Sequence, residues 1–175
     1  MKEISIQDFS MNPFTAFGDD WMALTAGNER DGYNAMTIAW GHIGSIWGRK
    51  NQHGCLPTAI CYVRPQRYTK QFMDREEYFT ISHFPERYRK ALGYIGSRSG
   101  RDEDKIASAG LTPAFIDGTA YLAEADIVFV CKKIYTGEIT ESGFVDKELV
   151  DDNYPERDFH TVYMGEVIKI LKKED

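Results

Sequence analysis

The stretch YNAMTIAWGHI, residues 33–43, mixes aromatic and β-branched residues in the alternating pattern of a β-strand. Its central residues divide between two faces, because successive side chains of a strand point to opposite sides. One face carries Asn34, Met36, Ile38 and Trp40, and the other carries Ala35, Thr37, Ala39 and Gly41. This second, small face indicates either that a flat group lies close to the backbone or that a neighbouring helix packs there.

Strand patterns of the same kind recur on both sides of this stretch. They cover residues 21–26, 58–63, 78–82, 125–134, 135–140 and 161–171. Three short helices are predicted: one over 69–75 capped by Thr69, one over 85–92 opened by Pro85, and one over 102–109. Because strands and helices do not alternate strictly, we predict a mainly β fold with short helices, an antiparallel barrel with helical insertions.

Length and composition indicate one domain over residues 1–175. The chain has 175 residues, of which 42% are hydrophobic, and this suits one sizeable core. No apolar run approaches the roughly 20 residues that cross a bilayer, and the first residues lack the apolar centre of a signal peptide. The net charge of −6 argues against a nucleic-acid partner. We therefore expect a cytoplasmic protein with no membrane or nucleic-acid partner.

Cysteine and histidine spacing gives no sign of a disulfide framework or a metal site. Cys55, Cys61 and Cys131 are odd in number and lack CxxC spacing, which fits free thiols in a reducing compartment. The four histidines are scattered, with no pair at ligand spacing. We expect no metal.

Two segments suit a phosphate group. In VRPQRYT, residues 63–69, a strand ends, proline turns the chain and a helix begins, so that Arg64 and Arg67 lie beside unpaired backbone N–H groups. In SRSGRDEDK, residues 97–105, hydroxyl side chains, a glycine and cations follow one another closely. The alternatives are two solvated arginines beside a helix start and an ordinary polar loop.

Five features in this order resemble the flavin reductase-like, FMN-binding split-barrel family, and especially its flavoredoxin-like members. They are NAMTIAWG (34–41), Trp47, VRPQRYT (63–69), SGRDEDK (99–105) with GLTP (110–113), and HTVYMGEV (160–167). The resemblance implies a six-stranded Greek-key split β-barrel that forms a homodimer and binds FMN at or near the subunit interface.

The resemblance also assigns the site residue by residue. Residues 34–41 would line the isoalloxazine ring and the ribityl chain of FMN. The phosphate end would hold Arg64, Arg67, Tyr68 and Thr69. The residues that close the site would be Ser99, Arg101, Asp104 and Lys105, with Lys105 a phosphate ligand. His160 would stand at the edge of the flavin pocket.

The reaction that the resemblance implies is hydride transfer from NADH or NADPH to flavin. The alternative is a non-catalytic FMN-binding protein that takes electrons from a partner protein. In the enzyme, His160 would bond the nicotinamide carboxamide, or offset charge on the reduced flavin if protonated. A purely structural role would instead pair it with Asp158 or Glu156 at the start of the last strand.

Two surface features bear on partners. Exposed aromatic residues would form the homodimer interface, and the candidates are Tyr33, Trp40, Trp47 and Phe129. The acidic tract over residues 141–158 would be either a lid over the pocket or plain surface.

Overall fold

The computed structural model describes residues 1–51 and 53–174. This part of the chain contains ten strands and five α-helices. The strands are β1 (Lys2–Ile4), β2 (Met22–Asn28), β3 (Gly32–Ile38), β4 (Gly41–Ile46), β5 (Leu56–Val63), β6 (Tyr78–His83), β7 (Pro113–Ile116), β8 (Thr119–Leu122), β9 (Ile127–Glu138) and β10 (Thr161–Lys172). The helices are α1 (Pro13–Gly18), α2 (Thr69–Arg75), α3 (Arg89–Ser97), α4 (Lys105–Ser108) and α5 (Glu148–Asn153). None of these described helices is long and apolar enough to cross a bilayer.

The strands form one large antiparallel sheet with the order β3-β2-β6-β9-β10-β5-β4. β1 joins it by pairing with β10, and β7 and β8 form a separate hairpin. β3 and β4 follow each other in sequence but lie at the two ends of this order. The mainly β fold with short helices is therefore confirmed, and its large sheet has eight strands in place of the expected six.

Two strand predictions were wrong in their bounds. The stretch 33–43 is divided between β3 and β4, with Ala39 and Trp40 between them, because the chain passes here from one end of the sheet to the other. Conversely, the two strands predicted over 125–134 and 135–140 are the single strand β9. Pairing with β10 runs along all of β9 and across the predicted break, where the ladder has a register shift between Lys133 and Tyr135, whereas pairing with β6 covers only Ile127–Lys132.

Helix α2 has the predicted bounds, but Thr69 does not cap it. Tyr68 occupies the N-cap position without a side-chain hydrogen bond. The hydroxyl of Thr69 instead accepts a hydrogen bond from the Asn34 side chain at 2.8 Å.

The other two helix predictions were shifted. The segment after Pro85 begins with a 3-10 turn over Glu86–Tyr88, and α3 then continues to Ser97. α4 begins only at Lys105, because the carboxylate of Asp104 accepts the bond from the Ala107 N–H that caps it.

The large sheet is buried on both faces. Along β9, Phe129 and Cys131 belong to one apolar cluster, whereas Val128 and Val130 belong to a second. The second cluster is completed by α3, α4 and the β7–β8 hairpin. Phe129 is fully buried, so its prediction as exposed aromatic surface was wrong.

Candidate functional site

Two neighbouring cavities form a cleft beside β3 and the β5–α2 turn. The cationic end, about 310 Å³, is lined by Met36, Gln66, Arg67, Tyr68, Thr69, Ser97, Arg98, Ser99 and Lys105. The aromatic end, about 250 Å³, is lined by Met36, Thr37, Ile38, Ala39, Trp40, Tyr62, Arg64, Arg67 and His160. Since Met36 and Arg67 line both cavities, the two ends meet at these side chains.

The β5–α2 turn is fixed to β3 by a buried hydrogen bond. The Arg67 N–H donates to the Arg64 carbonyl at 3.1 Å and closes the turn that Pro65 begins. The Asn34 amide then donates to Thr69 Oγ1 at 2.8 Å, and both residues are buried. This bond is worth about 1 kcal/mol, and it sets the distance between the two walls of the cationic end.

The loop after α3 packs against the same strand. A Cβ atom at Gly100 would lie 2.3 Å from Asn34 Oδ1, so only glycine lets the backbone approach this closely. The Asn34 side chain therefore supports both the start of α2 and the loop that carries Ser99.

Helix packing accounts for much of the small face of residues 34–41. Thr37 Oγ1 donates a hydrogen bond to the Leu92 carbonyl of α3, and Ala35 belongs to the apolar cluster beneath that helix. Gly41 is covered by Phe17, whose ring leaves no room for a Cβ. Thr37 and Ala39 nevertheless also line the aromatic end of the cleft.

Lys105 places a buried cation at the cationic end. It is 4% exposed, and its Nζ donates to the carbonyl oxygens of Ile95 at 2.8 Å and Arg98 at 3.0 Å. An ammonium has three donors, so one remains for an anion. Burial, together with the positive charge of Arg67, lowers the pKa of Lys105 to about 8.

Arg67 and Ser99 line the cationic end beside Lys105. Arg67 Nη1 donates to the Gly96 carbonyl at 3.0 Å, and the Arg67 side chain is exposed. Ser99 Oγ accepts from the Arg101 N–H at 3.2 Å. A small anion in this cavity would therefore meet guanidinium, ammonium and hydroxyl donors together.

Five predicted site residues are absent from the lining of the cleft: Asn34, Ala35 and Gly41, whose contacts are given above, and Arg101 and Asp104. The Arg101 guanidinium lies 4.8 Å from the Tyr68 ring centre and donates to the Gln66 carbonyl. Asp104 is occupied in capping α4. Gln66, Ser97 and Arg98 also line the cleft; they lie in the two segments predicted to suit a phosphate, although the resemblance did not assign them individually. Tyr62 lines the aromatic end and was not predicted.

Arg64 lies at the aromatic end, whereas the resemblance placed it at the phosphate end. Its Nη1 is 2.6 Å from each carboxylate oxygen of Asp158, and its Nη2 donates to the Asn153 carbonyl at 2.7 Å. The guanidinium is thus bound to the acidic tract over residues 141–158. That tract is attached to the wall of the cleft.

His160 is held in an aromatic cluster. It is 8% exposed, its ring centre lies 4.9 Å from that of Trp40, and its Nδ1 is 2.8 Å from the Tyr154 hydroxyl. Its partner is therefore Tyr154, and the expected alternative of Asp158 or Glu156 was wrong. Burial, followed by the charge of Arg64, lowers the pKa of His160 to about 4. At neutral pH the ring is uncharged, so the geometry favours a hydrogen-bonding role over a charged one.

No cluster of three or more His, Cys, Asp or Glu side chains suited to a metal ion occurs within residues 1–51 and 53–174.

Comparison with known proteins identifies a family and a shared fold. A family model described as a flavin reductase-like domain matches residues 56–175. The flavoredoxin of Desulfovibrio vulgaris (Miyazaki F) is 22% identical with a TM-score of 0.65, over 99% of this chain and 78% of that chain. A split-barrel domain from Shewanella frigidimarina superposes with a TM-score of 0.65 at 13% identity, over 89% of this chain and 68% of that one. The split-barrel prediction is therefore confirmed.

A third solved structure is named for an activity. The NADH:FAD oxidoreductase of Streptomyces globisporus is 18% identical with a TM-score of 0.63, over 90% of this chain and 78% of that chain. No curated protein matches the sequence significantly.

Proposed function

Since the chain belongs to the flavin reductase-like family, we propose that it binds FMN in the cleft and passes a hydride from NADH or NADPH to the flavin. The observation that carries this proposal is the cleft itself, which joins a buried cation at one end to aromatic side chains at the other. FMN has the matching asymmetry, with a phosphate at one end and a flat ring at the other.

The cationic end fits the phosphate of FMN. Lys105 has a remaining ammonium donor, Arg67 and Arg98 add guanidinium groups, and Ser97 and Ser99 add hydroxyl groups. Charge-assisted hydrogen bonds from such groups are about twice as strong as neutral ones. The cavity provides them for one phosphate.

The aromatic end fits the isoalloxazine ring. Trp40, Tyr62 and His160 form its side walls, and the β3 segment after Met36 lines its floor. Of these walls, His160 is buried, Tyr62 is half-buried and Trp40 is exposed. When bound, FMN supplies the redox chemistry by accepting a hydride, while the protein supplies binding, orientation and electrostatics.

His160 is the side chain in position to orient a nicotinamide. Because burial raises the pKa of Tyr154, its hydroxyl stays protonated and can donate to Nδ1 of His160. The ring proton then lies on Nε2, which can donate to a carboxamide oxygen. Hydride transfer itself needs no general acid or base on the protein.

The proposed assembly is a homodimer. Trp47 is 50% exposed and Tyr135 is 49% exposed, and their ring centres lie 6.2 Å apart. Exposed aromatic pairs of this kind are typical of subunit interfaces. Trp40, also partly exposed, lies at the other end of β4.

Spectroscopy and turnover together test the proposal. The purified protein should show a flavin absorbance spectrum after incubation with FMN, release FMN on denaturation, and oxidise NADH or NADPH. Recovery of FAD alone, or no flavin binding, would refute it. Flavin binding without NADH or NADPH oxidation would assign the protein to the alternative class, an electron carrier reduced by a partner protein.

A further inference from the structure

One ion pair fastens the acidic tract to the aromatic end of the cleft. Arg64 Nη1 bonds both carboxylate oxygens of Asp158 at 2.6 Å, and Gln66 Nε2 donates to the same carboxylate at 2.7 Å. The side chains of Arg64 and Asp158 are 26% and 18% exposed. Because these opposite charges lie so close together, their fields largely cancel at distances greater than the separation of the pair.

The same pair touches the aromatic cluster. The Arg64 guanidinium lies 5.2 Å from the Tyr154 ring centre, and Tyr154 bonds His160. Arg64 and His160 both line the aromatic end. Asp158 therefore determines how much positive charge this end of the cleft presents to a ring bound there.

We propose that Asp158 is a positioning residue that holds Arg64 neutralised and thereby keeps the reduction potential of the bound flavin low. This inference rests on the proposed function, because it requires the FMN ring at the aromatic end. Reduction of the ring by a hydride adds two electrons and one proton, and leaves one negative charge on the ring. An unpaired guanidinium nearby stabilises that charge and makes the flavin easier to reduce.

The consequence concerns the acceptor of the electrons. A flavin with a low potential passes its electrons on readily. An unpaired Arg64 would instead stabilise the reduced flavin, so that the electrons would stay on the ring. The Arg64–Asp158 pair thus favours onward transfer to an acceptor over storage on the flavin.

A charge-exchange series tests the inference. The net charge of the pair is 0 in the wild type, +1 in Asp158→Asn, −1 in Arg64→Gln and 0 in the double variant. Each protein is loaded with FMN and its midpoint potential is measured by spectroelectrochemistry. We expect Asp158→Asn above the wild type, Arg64→Gln below it and the double variant close to it.

The expected size is about a tenfold change in the affinity for reduced relative to oxidised FMN in each single variant. For a two-electron couple this corresponds to about 30 mV. Asp151→Asn is the matched control, since Asp151 lies in the same tract but pairs with Arg157 at 3.0 Å. Its potential should equal that of the wild type.

The order of the four potentials decides the outcome. If both single variants shift in the same direction, or neither shifts, the pair merely holds the acidic tract in place and the inference is wrong. Thermal melting checks folding, and the two single variants test opposite signs, so the loss of one leaves the other informative. Failure of the wild type to bind FMN would overturn the proposed function instead.

Discussion

At the scale of single residues, a buried lysine makes binding of an anion depend on pH. The pKa of Lys105 is about 8, because burial and then the charge of Arg67 both disfavour the ammonium. A phosphate placed against that ammonium raises the pKa again. Above pH 8, binding must therefore be accompanied by uptake of a proton, and the affinity for FMN falls as the pH rises.

Fluorescence titrations at several pH values measure this effect. We expect the Kd for FMN to rise by up to tenfold per pH unit above about pH 8, where the FMN phosphate no longer titrates because its second pKa is about 6. Lys105→Met should abolish the dependence and weaken binding at pH 7 by about 1.5–3 kcal/mol. Arg67→Ala should weaken binding throughout and move the onset to higher pH. A Kd in the wild type that does not change between pH 7 and 9 would contradict this role of Lys105.

A second residue-scale prediction concerns His160. If its Nε2 bonds the nicotinamide, His160→Ala should slow reduction by NADH by a larger factor than it raises the Kd for FMN, whose ring loses only one wall contact. Loss of one hydrogen bond worth about 0.5–1.5 kcal/mol should slow reduction by NADH roughly two- to tenfold. Stopped-flow absorbance measures this rate. Tyr154→Phe is the control for ring orientation, and unchanged reduction with a lower melting temperature in His160→Ala would favour the structural role.

At the scale of elements, a histidine joins three strands at one end of the sheet. His83 ends β6, and its Nδ1 lies 2.7 Å from Asp126, which precedes β9. Its Nε2 lies 3.7 Å from Asp20, just before β2. The hydrogen bond to Asp126 raises the pKa of His83. Burial alone would raise the pKa of Asp126, but the hydrogen bond to His83, the charge of that ring and the backbone N–H groups of Asp126 and Ile127 together lower it.

The two shifts define a pH window for this contribution to stability. The His83 contribution is complete below its unfolded pKa of about 6.5 and is lost as the pH rises through the higher folded value. The Asp126 contribution is present above about pH 3.9 and is lost as the pH falls through the lower folded value.

Between about pH 4 and 6.5, Asp126→Asn should lower the free energy of unfolding by about 1 kcal/mol. Urea titrations measure this free energy of unfolding. The control variant Asp20→Asn should lower it by less. If Asp126→Asn lowered it by the same amount at pH 9, the assignment to the His83–Asp126 pair would be contradicted.

The elements that sequence alone predicts are those fixed by local signals. The start of α2 follows from the proline turn that precedes it. The apolar run within β9 identifies a strand that is buried on both faces. The break at Ala39 depends on the sheet topology and has no local signal.

The same distinction applies to the cleft. The resemblance assigned the segments 34–41 and 63–69 to one FMN site, and in the structure they are in contact through Asn34 and Thr69. The pairing of Arg64 with Asp158 joins residues 94 positions apart and is invisible to any local pattern. Arg64 lies paired with this carboxylate at the aromatic end of the cleft, whereas the resemblance placed it at the phosphate end.

At the scale of the whole molecule, the strongest indication of a subunit interface is a strained aromatic residue on the surface. Trp47 has a φ of 54°, in the left-handed region that a bulky side chain enters only at a cost. It is nevertheless 50% exposed beside Tyr135. A monomer gains little from holding a tryptophan in this way, whereas the proposed dimer would bury the ring.

Replacement of this one residue separates strain from association. Trp47→Gly relieves the backbone strain, so we expect the monomer to be as stable as the wild type or up to about 1 kcal/mol more stable. The dimer should weaken at the same time, because the aromatic area that it buries is lost.

Light scattering and sedimentation across a concentration series measure the association, and Trp47→Phe should retain the dimer. A wild type that stays monomeric at micromolar concentration, or a glycine variant that dimerises equally well, would exclude Trp47 as the contact. If FMN affinity falls together with dimerisation in the glycine variant, the second subunit also contributes to the cleft.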